Sequence, residues 1–359
     1  MYTIEFVFEY KGQLDLDNFE RALRDTEKLI PVVTARIKAV SDKRLEFHLS
    51  NEPVPLSVQN EDEGGPLLDP ISNVIEKPLV KIRVTQSANM TRVGVSFSHM
   101  LGDGASFFVF MNTLAKCARR EPSAMVVSHD RLRLFPSANA SVESVPASRL
   151  FRETGYTFDP PVGQIGKAEI LKFSCSDLAA LKDEAGFEDP NVTTNDALMA
   201  YLLKRFHSQI PVSEEGGLIV RCPVDCRRFS AAVPNGYFGN AIRDAVACFD
   251  PDVFPHLTLS AVASKVREAI SAVNERSFST SLHCLEDLRQ ERGVDFFQHV
   301  GCPGLLVSNL SRLSFDSLDI GLGGPTQVYQ ESAIPNLASI LAVDGGAEIK
   351  FSPAVFLTK

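Results

Sequence analysis

The chain has 359 residues, 44% of them hydrophobic, with a formal net charge of −9. That length supports two ordinary domains with separate cores, and the acidic balance without any basic stripe argues against a nucleic-acid partner. The longest apolar stretches are strand-sized and carry polar or charged residues, so no transmembrane helix is expected.

In chain order, Ile4, Phe6, Phe8 and Tyr10 alternate with Glu5, Val7 and Glu9, the pattern of a strand with one face buried. Asp15 or Asp17 can cap a following helix with Phe19, Leu23, Thr26 and Ile30 on one side, stopped by Pro31. Val32 to Val40, Arg44 to Leu49 and Leu79 to Thr85 read as further strands, with 51–78 as a polar connection. Next, Val93, Val95, Phe97 and His99 project from one strand face, with Gly94, Ser96 and Ser98 on the other. Gly102 and Gly104 break that strand, and Phe107, Phe110, Met111, Leu114, Cys117 and Ala118 then form the buried side of a helix. A strand ending in an imidazole, a glycine turn and a packed helix make a rigid mount for a base.

From 121 to 165 the periodicity disappears among Pro, Ser and Ala residues, which reads as a crossover linker between domain 1–120 and domain 166–359, or as a surface insertion. Pattern resumes with a strand at 167–173, a short helix at 177–185, and a helix after the cap Thr193-Thr-Asn-Asp196. An apolar strand, Leu218 to Val224, precedes Asp225-Cys-Arg-Arg228 and the bend Pro234-Asn-Gly-Tyr-Phe-Gly-Asn240. Residues 258–275 read as a helix, and the last eighty residues as β-rich, with strands at 305–313, 337–343 and 348–356 and a turn at Asp344-Gly-Gly346.

Several chemistries lack their usual sequence anchor: GxGxxG after a strand, GxxxxGK[ST], HExxH and GxSxG are all absent. His99 and Asp103 have no evident third ligand, and Cys222 and Cys226 have no second pair, so no metal is expected. Seven scattered cysteines point to a reduced, cytoplasmic setting, and the first residues lack the basic and apolar regions of a secretory signal. On the residues alone, His99 is either a base or a core histidine satisfied by a backbone carbonyl.

The order His-x-x-x-Asp-Gly (His99, Asp103, Gly104), Asp-x-Arg (Asp225, Arg227), Gly-Tyr-Phe-Gly-Asn (Gly236 to Asn240) and Asp-x-Gly-x-Gly (Asp319, Gly321, Gly323) resembles the BAHD family of acyl-CoA-dependent acyltransferases. The resemblance runs from about residue 1 to about residue 355, although Ile320 and Leu322 stand where the family has Phe and Trp, and this chain has no Trp. The resemblance implies an α/β, two-domain chloramphenicol-acetyltransferase-like fold, with mixed sheets flanked by helices and a tunnel between the domains. His99 would be the general base, and Asp103 a structural brace paired with an arginine, for which Arg227 is the candidate and Arg228 the next. Gly104, Asp319, Gly321 and Gly323 would support the site structurally, with no residue assigned to CoA. The co-substrate would be acyl-CoA, with no permanently bound cofactor, and the acceptor a small alcohol or amine. A monomer serving secondary metabolism is expected. Two alternatives remain: a condensation-type enzyme fed by a carrier-protein pantetheine, and a non-catalytic binding module on the same fold.

Overall fold

The strand and helix periods assemble into two large sheets and two two-stranded ones in a computed structural model, which describes residues 3–41, 44–72, 75–122, 127–134, 151–153, 167–213, 216–293, 297–299, 304–331 and 334–354. The first elements are β1 (Thr3–Lys11), α1 (Leu16–Leu29), β2 (Arg36–Ala39), β3 (Leu45–His48), β4 (Leu56–Asn60), β5 (Val80–Gln86), β6 (Met90–Ser98) and α2 (Gly104–Ala118). There follow β7 (Phe151–Glu153), β8 (Glu169–Phe173), α3 (Cys175–Ala185), α4 (Thr194–Phe206), β9 (Leu218–Asp225), β10 (Ile242–Phe249) and α5 (Leu259–Ser271). The last are α6 (Glu275–Arg292), β11 (Phe297–His299), β12 (Leu305–Asn309), β13 (Gln327–Gln330), β14 (Leu337–Val343) and β15 (Gly346–Ser352). Most of the 121–165 connection lies outside the described residues.

The first sheet has the order β13-β1-β6-β5-β4, antiparallel except for the β4–β5 pair. Phe6, Phe8 and Tyr10 of β1 and Val93, Val95 and Phe97 of β6 join Phe107, Phe110 and Leu114 of α2 and Phe19 and Leu23 of α1 in one core. The other face of β6 is also covered, because a Cβ at Gly94 would stand 1.8 Å from the Leu67 carbonyl oxygen. Gly94 is the residue that lets this segment lie directly on the sheet. Asp15 is the α1 cap, accepting from the Asn18 amide at 3.0 Å.

The second sheet has the order β10-β9-β12-β14-β15-β8, with β12 parallel to both neighbours and the remaining pairs antiparallel. α3, α4 and α5 cover one face, packing Leu181, Leu202, Phe206 and Val262 onto Val220, Val307, Ile340 and Phe351. Asp344 and Gly345, both at positive φ, make the two-residue turn between β14 and β15.

Four readings from the sequence are corrected. Val32 to Val40 is not one strand: Pro31 opens a single 3-10 turn through Thr34, and only Arg36–Ala39 is extended. The helix read over 258–275 is two helices, because Asn274 breaks the first and caps α6 through the Ser277 amide at 3.0 Å. α6 also runs to Arg292, so the last eighty residues begin in a helix. In addition, 51–78 contains β4, which pairs parallel with β5.

Residues 315–330 lie after the division at residue 166 in sequence, but in space they complete the first sheet. β13 pairs antiparallel with β1, matching Phe6 with Gln330 and Phe8 with Val328. Phe315, Leu318 and Ile320 are buried in the first core.

Candidate active site

β6 ends at Ser98, and His99 begins a turn that delivers the chain into α2. The turn is tight. A Cβ at Gly102 would meet Ser106 Cβ at 2.5 Å and Ser106 Oγ at 2.8 Å, so glycine is required there. Half-buried, His99 lines a cavity of about 110 Å³ at the seam between the sheets. Phe6 of β1, Gly104 and Phe107 of α2, Pro223 of β9, Leu306 of β12 and Gln330 of β13 are among its other walls. The imidazole therefore faces a mostly apolar chamber built from both sheets, which is where a base gains most from excluded water.

The residues expected to support the histidine form one buried network. Asp103 is the N-cap of α2, its Oδ1 accepting from the Ser106 amide at 3.0 Å. Its Oδ2 accepts from Arg227 Nη1 at 2.8 Å and from the Ala241 amide at 2.9 Å. With both oxygens committed, Asp103 points away from the cavity chemistry. Arg227 also donates to Asp225 Oδ1 at 3.1 Å, to Ser106 Oγ at 3.2 Å and to the Gly239 carbonyl at 2.7 Å. Burial disfavours its charge, but the Asp103 and Asp225 carboxylates outweigh that and raise its pKa above the ordinary arginine value. Arg228, the other candidate, is exposed.

Two residues to which the sequence assigned no role complete the frame. Ser106 Oγ donates to the Gly239 carbonyl at 2.9 Å and accepts from the Gly239 amide at 3.0 Å, tying α2 to the glycine-rich bend. Asn240 Nδ2 donates to the backbone carbonyl of His99 itself at 2.9 Å. The signals were present: Ser106 stands three residues after a capping Asp, and Asn240 ends the Gly-Tyr-Phe-Gly-Asn bend. Gln330 was also missed, because nothing local in the sequence of β13 marks a cavity wall.

Asp319, Gly321 and Gly323 stand apart from this cluster. Asp319 Oδ1 accepts from the Gly321 and Gly323 amides at 2.7 and 2.9 Å, closing a tight loop in which both glycines have positive φ. Its carbonyl accepts from Arg119, just past the C-terminus of α2, and the neighbouring Leu318 carbonyl accepts from Tyr10 at 2.9 Å. Leu322 lies beside Gly12, whose Cβ would come within 3.7 Å of it. β1 begins at the cavity with Thr3, so Gly12 lies roughly 30 Å further along that strand. This loop fastens the far end of the first sheet.

Among the described residues, no helix is long and apolar enough to cross a membrane, and no group of three His, Cys, Asp or Glu side chains could hold a metal ion.

A family model described as the Transferase family matches residues 60–348. Hydroxycinnamoyltransferase 1 of Oryza sativa subsp. japonica is 26% identical, over 88% of this chain and 78% of its own length. The hydroxycinnamoyl-CoA:5-hydroxyanthranilate N-hydroxycinnamoyltransferase HHT1 of Avena sativa is 25% identical, over 87% of this chain and 77% of its own. In solved structures, F. sporotrichioides TRI101 complexed with coenzyme A and T-2 superposes with a TM-score of 0.79 at 16% identity, covering 98% of this chain and 91% of that one. That likeness establishes the fold, the chloramphenicol-acetyltransferase type expected from the sequence.

Proposed function

The chain belongs to the Transferase family, the BAHD acyltransferases, as an acyl-CoA-dependent O- or N-acyltransferase, and we propose that His99 is the base with which it moves an aromatic acyl group to a small alcohol or amine. One observation carries the reading: among the described residues His99 is the single imidazole on the wall of the inter-sheet cavity, with its backbone pinned by Asn240 and its turn by the Asp103–Arg227 pair.

The acceptor hydroxyl or amine gives its proton to the neutral imidazole as it attacks the thioester carbonyl. The tetrahedral intermediate collapses by breaking the carbon–sulfur bond, and the imidazolium returns the proton to the departing CoA thiolate. Both substrates must be present together, and no covalent enzyme intermediate is needed. Asp103 and Arg227 hold the mount and take no proton. The hydroxycinnamoyltransferase names of the relatives support an arylpropenoyl donor, and the apolar, aromatic walls suit it. Family membership favours free acyl-CoA over a carrier-protein thioester.

The test is mass-spectrometric detection of acylated product after mixing the protein with hydroxycinnamoyl-CoA and a panel of alcohols and amines. His99→Ala should keep the wild-type melting curve and lose at least about 10² in kcat. Unchanged turnover in that variant would remove His99 from the mechanism.

A further inference from the structure

Among the cavity walls, Gln330 has an unmet requirement. It is 9% exposed, and its Oε1 is buried with no hydrogen-bond partner among the described residues. Its backbone is fixed from both sides: β13 pairs it with Phe6, and Lys350 of β15 donates to its carbonyl at 2.7 Å. A buried amide oxygen held this firmly in an apolar chamber is destabilising unless it is paired. A ligand hydroxyl would remove that penalty.

The strand register gives the distance between this amide and the base. Phe6 faces Gln330 across one strand boundary, and Thr3 faces Ser98, the residue before His99, across the next. His99 is thus displaced from Gln330 by about four residues along the strands and two strand spacings across them, which is roughly 16 Å between Cα atoms. Both side chains line the same cavity, so a group reaching from one to the other must be extended, as an arylpropenoyl group is. The cavity volume, about 110 Å³, is of the order of one aromatic ring, since an apolar cavity of about 150 Å³ holds benzene. Phe6, Phe107 and Phe315 supply ring contacts along its sides.

We infer that Gln330 is a specificity-determining residue for the acyl donor, its amide pairing with a ring hydroxyl at the end of the acyl group remote from the thioester. A phenol both donates and accepts, so it satisfies either end of a carboxamide. The inference rests on the acyl-transfer reading above and adds a commitment to a hydroxylated over an unsubstituted aromatic acyl group. A pocket that must hydrogen-bond a hydroxyl discriminates strongly against the analogue lacking it, because the amide is then left unpaired.

The experiment compares 4-hydroxycinnamoyl-CoA with cinnamoyl-CoA, measuring kcat/KM with one acceptor and, separately, Kd by calorimetry, in the wild type and in Gln330→Leu and Gln330→Met. The expected wild-type preference for the hydroxylated donor is about 10-fold or more, collapsing towards unity in both variants through loss on the hydroxylated donor, with cinnamoyl-CoA unchanged or improved. A ratio near unity in the wild type, or one unmoved by both substitutions, overturns the inference. So does a change confined to acceptor KM. If neither donor turns over but the Kd ratio falls in the variants, the hydroxyl contact stands and the transfer reading fails. If neither donor binds, both are overturned. Leu and Met keep the bulk of Gln without its amide, so a variant that melts early in one case is checked by the other.

Discussion

Asp103 and His99 are four residues apart, but the turn gives them opposite tasks. The carboxylate has three of its acceptor positions filled by Arg227, Ser106 and Ala241, and its side chain is 3% exposed. Removing it strands a guanidinium that is itself 19% exposed and retains, among the described residues, only Asp225 as an anionic partner. Loss of one member of a buried pair costs about 3 to 5 kcal/mol, and the remaining Asp225 contact places Asp103→Ala towards the lower end. The variant should therefore melt earlier as well as turn over more slowly, whereas His99→Ala should lose turnover alone. A double-mutant cycle with Arg227→Met should show strong coupling in the melting free energies; additive effects would mean that the pair does not act as a unit. His-x-x-x-Asp and Asp-x-Arg were legible as motifs of the family the sequence resembles, whereas the residues alone left His99 as either a base or a core histidine. The roles of Asn240 and Ser106 were not legible, since an amide or a hydroxyl in a turn looks the same whether it braces a catalytic histidine or only its own loop.

The elements were legible where one period dominated. β1, β6 and α2 were found because their apolar residues recur at two or at three and four positions. α6, with Ser, Thr, Glu and Arg across most of its length, buries only Phe278, Thr280, Ser281, Cys284 and Leu288 and leaves no continuous apolar stripe to read. β4 is a five-residue edge strand with a single buried residue, Gln59. The Asp319–Gly323 loop shows how a motif is recognisable before its task is. Its glycines are needed for backbone conformation, since a Cβ at Gly321 would meet nothing within 4 Å but the residue sits at φ +101°. Gly321→Ala should cost more than about 1 kcal/mol by thermal melting, from that strain alone. Leu322 is partly buried beside Gly12, at the end of β1 remote from His99. Leu322→Trp should accordingly change stability and leave kcat untouched; an increase in kcat would show that the loop reaches the reacting atoms.

At the scale of the whole molecule, the return of residues 315–330 to the first sheet joins what the sequence presents as two successive halves. Sequence separation hid this, because Gln327 to Gln330 carries too short a pattern to say which sheet it enters. The consequence is physical. Phe315 sits 5.0 Å from the Phe6 ring, 5.8 Å from Phe8, 6.4 Å from Phe107 and 5.9 Å from Phe108, so a residue close to the end of β12 closes the core built by β1 and α2. It also lines the cavity. We propose that residues 1–120 and 166–359 are two lobes that unfold together because this segment straps one to the other. Phe315→Ala removes a buried ring and should cost about 3 to 5 kcal/mol. If the strap couples the lobes, the entire unfolding transition, followed by far-ultraviolet circular dichroism and by calorimetry, should move to lower temperature as one unit. A variant in which only part of the amplitude moves would show that the second sheet keeps its stability without the first, and the lobes would then be independent.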